Sequence, residues 1–109
     1  MAIDWTSVAS QMLSAAKKAL GKKWPKARDY AQLEMKKLAD TLAMIEQLYA
    51  AGKIGEEEAR LHLELQKNAA RAVLLALQGL GVLAAEEAIN AALDVVRAPV
   101  NVALGFQLV

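Results

Sequence analysis

The sequence predicts an all-α protein, an antiparallel bundle of about four helices that forms a single domain over residues 1–109. Alanine makes up about a fifth of the chain, and Pro25 and Pro99 are its only prolines, so helix propensity is high almost throughout. No run of alternating β-branched residues indicates a strand. The length is typical of one domain, and no internal repeat or linker divides it.

The composition excludes several classes of protein. Hydrophobic residues make up 56% of the chain, which is incompatible with a disordered tail. The absence of cysteine excludes a disulfide framework, a thiolate zinc site and a cysteine nucleophile. Thirteen basic residues against twelve acidic ones leave a net charge of +1, so we do not expect nucleic acid as a partner.

The amino-terminal segment predicts no secretory signal, because Asp4 and Gln11 interrupt its apolar character. The longest charge-free stretch, between Arg71 and Glu86, is too short to cross a bilayer as a helix. We therefore expect a cytoplasmic protein, with peripheral contact to a membrane left open as an alternative.

The first two helices are predicted from their boundary residues. Asp4 suits an N-cap and Gly21 a left-handed C-terminal position, which places helix 1 at about 5–20. Pro25 suits the first turn of a helix and Gly52 its end, which places helix 2 at about 25–51. Helix 2 has an apolar seam with the alternating spacing of a bundle core, formed by Ala31, Met35, Leu38, Leu42, Ile45 and Tyr49.

Helix 3 is predicted over about 56–79, from the acidic first turn Glu56–Glu58 to the Gly79-Leu80-Gly81 break. Its length matches that of helix 2, which predicts a long antiparallel hairpin. The apolar seam predicted for this helix consists of Leu61, Leu65, Asn68, Ala72 and Leu75. The predicted core residues of the hairpin are Leu38, Leu42, Ile45, Leu65 and Leu75.

Helix 4 is predicted over about 83–104, with a kink near Pro99. Its polar residues form one narrow stripe, so most of its circumference is apolar. Helices 3 and 4 have more apolar surface than one small bundle is expected to cover, although the alanines soften this inference. We therefore predict that the carboxy-terminal half is an association surface, with docking on the parent bundle as the alternative. The predicted interface residues are Ile89, Leu93, Val96, Val100, Leu104, Phe106, Leu108 and Val109.

A second candidate surface is the basic cluster around the junction of helices 1 and 2. It consists of Lys17, Lys18, Lys22, Lys23, Trp24, Lys26 and Arg28. An ordinary solvated corner is the favoured interpretation, because lysines near a helix C-terminus complement the helix dipole. Contact with an anionic membrane surface is the next alternative, and binding to nucleic acid the weakest.

The sequence contains no catalytic motif. The only histidine, His62, lies four residues after Glu58, but the chain lacks the paired motifs of a di-iron site, and no phosphate-binding loop or nucleophile elbow is present. We predict no enzyme activity, no cofactor, no metal and no catalytic residue, His62 included. The predicted function is that of a structural or interaction protein that self-associates or joins a larger assembly through residues 69–109. The alternative is a helical protein that binds a membrane surface or an apolar ligand.

Overall fold

The computed structural model describes residues 3–109 and confirms the all-α class, with no strand in that range. The elements are α1 (Trp5–Leu20), α2 (Trp24–Ala50), α3 (Glu56–Leu75) and α4 (Val82–Leu104). Together they form a rod of 42 × 23 × 18 Å, a length close to that of α2.

The prediction of about four separate helices is wrong, because α1 and α2 are continuous and the described chain has three unbroken helical stretches. A 3₁₀ turn at Gly21–Lys23 joins α1 directly to α2, so residues 5–50 contain no non-helical linker. The chain nevertheless changes direction within this stretch at Gly21, whose φ of 54° is a conformation that a side chain disfavours, so that α2 packs against α1. As predicted, the Asp4 carboxylate caps α1 by accepting from the backbone amides of Thr6 and Ser7.

The third helix ends earlier than predicted. α3 stops at Leu75, whereas the glycines chosen as its end lie at 79 and 81, both with φ of 85°. An i→i+3 hydrogen bond from the amide of Leu77 to the carbonyl of Leu74 already takes the chain out of the α-helix before Gly79 is reached, and Leu80 donates to Leu77 in a second such turn. α3 is therefore 20 residues long against 27 for α2, and the predicted match in length is wrong.

α4 packs on α1 more extensively than α2 packs on α3. Val102 shares a groove with Asp4 and Ser7, and Val95 shares one with Ser14 and Lys18, so α4 runs back along α1. The helix continues through Pro99 and ends at Gly105, which adopts the left-handed conformation.

The core confirms the seam of α2 and corrects that of α3. Leu38, Leu42 and Ile45 are buried as predicted, whereas Leu65 and Leu75 are exposed. The side of α3 that faces the core consists of Ala59, Leu63, Ala70 and Leu74. Two of these four side chains are alanines, which let neighbouring helices approach closely.

Candidate functional site

The apolar side of α4, predicted to be an association surface, lies inside the bundle. Six of the eight predicted interface residues are less than a tenth exposed, and the other two are half-buried against the core. The six are Ile89, Leu93, Val96, Val100, Leu104 and Leu108, and the two are Phe106 and Val109. Contacts from α1, α2 and α3 cover this side of the helix. A surface for a partner therefore needs other residues.

The carboxy-terminal tail docks on its own chain through Asn101. The Asn101 side-chain oxygen accepts from the backbone amides of Leu108 at 2.9 Å and Val109 at 3.0 Å. The Phe106 ring packs against the ring of Tyr49 at 4.8 Å between centroids, and the Arg60 guanidinium carbon lies 5.3 Å from the centre of the Phe106 ring. Folding the chain back after Gly105 thus removes the apolar tail from water without a partner.

An outward stripe on α3 is one of the apolar surfaces that the fold leaves exposed. This α3 seam consists of Leu61, Leu65, Asn68, Ala72 and Leu75, and all five side chains are exposed. Leu61 is 59% and Leu65 58% exposed. Side chains spaced by three and four residues are neighbours on a helix, so the seam is one continuous strip opposite the core side of α3.

A polar network anchors the middle of the α3 seam to α4. The Arg71 guanidinium donates to the carboxylate of Glu86 and to the side-chain oxygen of Asn68. The hydrogen bond from Arg71 lowers the pKa of Glu86, and the same bond raises the pKa of Arg71. Asn68 is therefore held in place at the centre of the seam.

The basic cluster forms one end of the rod. Lys17 Nζ lies 5.6 Å from the centre of a Trp24 ring, and Lys23 Nζ donates to the Leu80 carbonyl at 2.7 Å. Arg28 pairs with its neighbour Asp29 at 3.3 Å. Within residues 3–109, no carboxylate lies within ion-pair distance of the five lysines of this cluster. The cluster is therefore a region of uncompensated positive charge.

One buried carboxylate was missed by the sequence analysis. Glu34 is 1% exposed, and its Oε2 accepts from Lys37 Nζ at 3.3 Å. Its Oε1 is buried and has no hydrogen-bond partner among the described residues. Its place three residues after Ala31 on the apolar side of α2 was the available signal, because that position belongs to the core side of the helix. Glu34 lines none of five surface cavities found among residues 3–109.

The remaining candidate for chemistry, His62, is half-buried on α3. In the part of the chain that the structure describes, no group of three or more potential metal ligands comes together. No helix among these residues has the length and apolar character needed to cross a membrane.

The chain was compared with protein-family models, with curated proteins and with solved structures, and no match was found.

Proposed function

We propose that this chain is a non-enzymatic interaction protein that self-associates, and that the contact is made by the α3 seam. One observation carries the proposal. The exposed residues of the α3 seam have the spacing of a bundle core, although the opposite side of the same helix already packs in the core of this chain. A strip of half-exposed leucines along one helix is typical of a surface that packs against another helix. This proposal moves the contact away from the buried side chains of residues 89–109 to residues 61–75.

The seam is self-complementary about Asn68. Leu61 and Leu75 lie seven residues to either side of it, and Leu65 and Ala72 lie three and four residues away. A two-fold axis at Asn68 between antiparallel copies would place Leu65 of each chain against Ala72 of the other. Leu61 would then meet Leu75, and Asn68 would meet its own copy, which is a known way to specify register.

Charge favours the antiparallel arrangement over the parallel one. The first turn of α3 holds Glu56, Glu57 and Glu58. Parallel copies would bring both acidic turns together, whereas antiparallel copies hold them at opposite ends of the contact. The partner we propose is therefore a second copy in antiparallel orientation.

The expected affinity is modest. Complete burial of a leucine contributes about 1.5–3 kcal/mol, so six half-exposed leucines in a dimer contribute roughly 5–9 kcal/mol. Association costs roughly 4–15 kcal/mol in lost freedom of motion. The surplus is at most about 5 kcal/mol, so we expect a weak dimer with a dissociation constant of about 0.2 mM or higher.

Two finer features of the architecture belong to the same proposal. The short connection between Ala50 and Glu56 supports an antiparallel α2–α3 hairpin, which would set α3 on the outside of the rod. Pro99 lies inside α4 and lacks the amide that would bond to the carbonyl of Val95, which supports a kink there.

Sedimentation equilibrium from micromolar to near-millimolar concentration tests the proposal. Wild type is expected to show a concentration-dependent dimer, and Leu65→Glu to remain monomeric because the contact would bury an unpaired charge. Glutamate is a good helix former, so this exposed substitution leaves α3 intact.

Val102→Glu is the matched control, because Val102 is 81% exposed on the surface between α1 and α4. It is expected to dimerise like wild type. A wild type that is monomeric at every concentration would overturn self-association. Loss of the dimer in Val102→Glu but not in Leu65→Glu would overturn the assignment to α3.

A further inference from the structure

The end of the rod that holds the basic cluster also exposes two large apolar side chains. Val82 is 63% and Leu83 72% exposed, and both lie in the first turn of α4. They follow Gly81, whose φ of 85° sets the direction in which the chain enters α4. An adjacent pair of side chains this exposed is unfavourable in water and is not explained by the α3 seam.

Two contacts place this apolar pair beside the lysines. Lys23 Nζ donates to the carbonyl of Leu80, two residues before Val82. Lys26 Nζ lies 3.2 Å from the position that a Cβ on Gly79 would occupy. The start of α2 and the loop before α4 therefore form one surface, with Val82 and Leu83 next to the basic cluster.

The acidic groups near this surface do not neutralise it. Asp29 pairs with Arg28, and Glu86 pairs with Arg71. Glu87, which is exposed, lies one turn beyond Leu83 on α4. Among the described residues Glu87 has no ion-pair partner, so the five lysines at 17, 18, 22, 23 and 26 outnumber the unpaired carboxylates on the first two turns of α4.

We propose that this end of the rod docks on the surface of an anionic lipid bilayer. Lysines next to exposed apolar side chains fit the interface of such a bilayer, where the ammonium groups meet phosphate headgroups and the apolar pair enters the boundary with the acyl chains. The half-buried Trp24, at the centre of the cluster, is a residue type that is favoured at that depth.

The apolar pair distinguishes a bilayer from nucleic acid. A phosphate backbone is bound by charge and hydrogen bonds and gives Val82 and Leu83 no apolar partner, whereas a bilayer covers them. The docking is peripheral and goes beyond self-association, because it uses residues that the α3 seam does not contain. Each lysine near an anionic surface is expected to strengthen binding about fivefold.

Co-sedimentation of the full chain with vesicles tests the inference. The vesicles are phosphatidylcholine alone or phosphatidylcholine with about one third phosphatidylserine. Wild type is expected to bind the anionic vesicles and not the neutral ones. The double substitution Lys22→Gln with Lys26→Gln is expected to weaken binding about 25-fold, since each lysine accounts for about fivefold. Both side chains are exposed, and circular dichroism checks that the fold is kept.

Matched controls separate local contact from a change in net charge. Lys36→Gln with Lys53→Gln removes two exposed lysines outside the basic cluster and is expected to change binding about twofold or less. Leu83→Ser is expected to weaken binding at unchanged charge, whereas Val102→Ser is not.

Three results would overturn the inference. The first is absence of binding to anionic vesicles at low salt. The second is an equal loss in both pairs of lysine substitutions, which would indicate a response to net charge only. The third is a wild-type affinity for an RNA or DNA oligonucleotide that exceeds that for vesicles and is unchanged by Leu83→Ser, which would assign the surface to a nucleic-acid backbone.

Discussion

The apolar side of α4 and the α3 seam are built from similar residues at the same helical spacing, yet the fold covers the first and exposes the second. Val96 and Ile89 on α4 are fully buried, while Leu61 and Leu65 on α3 are more than half exposed. α4 has three helices packed around it, because α1, α2 and α3 all contact it. This difference shows that an apolar stripe is buried only where the fold packs another helix against it.

α3 shows what decides between two stripes on one helix. Its inward side is Ala59, Leu63, Ala70 and Leu74, and its outward side holds more leucine. The inward stripe is buried although it is the smaller one, because alanines allow α2 and α4 to approach closely. Residue size alone therefore predicts the wrong side of α3 to be buried. Close packing of the helix backbones explains why the side with two alanines is the buried one.

The largest expected effect comes from a charge on the covered stripe. Val96→Glu would bury an unpaired carboxylate at a fully buried position, and we expect a loss of about 4 kcal/mol or more in the free energy of unfolding. Urea unfolding followed by circular dichroism measures this loss. Val102→Glu on the exposed side of the same helix is expected to stay within about 0.5 kcal/mol of wild type. Equal stability of the two variants would mean that Val96 is not in the core.

The next effect compares two leucines. Leu42→Ala removes a fully buried side chain of α2 and is expected to cost about 2–5 kcal/mol. Leu65→Ala, on the exposed α3 seam, is expected to cost less than about 1 kcal/mol, because it leaves no cavity. Urea titration of both variants at low protein concentration keeps the monomer as the reference. A larger loss at Leu65 than at Leu42 would reverse the assignment of the two sides.

The buried stripe of α2 contains one charged residue. Glu34 is buried with one oxygen unpartnered, so Glu34→Leu is expected to raise the free energy of unfolding by about 1–3 kcal/mol. Lys37, which would lose its ion pair, is half-exposed and returns to water. Thermal and urea unfolding provide the measurement. A clear loss of stability would show that the carboxylate has a favourable role that the described contacts do not contain.

The smallest expected effect concerns the network that joins the α3 seam to α4. Arg71 lowers the pKa of Glu86 below its ordinary value of 4.5, so the pair stabilises the fold above that pH. The contribution is lost as the pH falls through the lowered pKa, where the carboxylate takes up a proton in the folded state. Wild type is therefore expected to exceed Glu86→Gln in stability near neutral pH and to lose that advantage in acid. An advantage that persists at the lowest pH would exclude the ionised pair as its source.

The sequence was sufficient for features that depend on neighbouring residues. The helical class, the capping of α1 by Asp4 and the buried seam of α2 follow from propensity and spacing, and the structure confirms them. The features that depend on topology were not predictable in the same way. The early end of α3, the return of the tail to Asn101 and the burial of α4 by three helices all require the positions of distant elements.

The central claim, that α3 and not the apolar side of α4 meets a second copy, can be tested by cross-linking, because the chain has no cysteine. Asn68→Cys would lie on the proposed two-fold axis, where mild oxidation of concentrated protein is expected to give a disulfide-linked dimer. Val102→Cys is the exposed control and is expected to remain a monomer. Leu61→Cys is expected to cross-link with Leu75→Cys in a mixture more readily than with itself, since antiparallel copies bring these two positions together. A dimer from Val102→Cys and none from Asn68→Cys, under the same oxidation, would contradict the account.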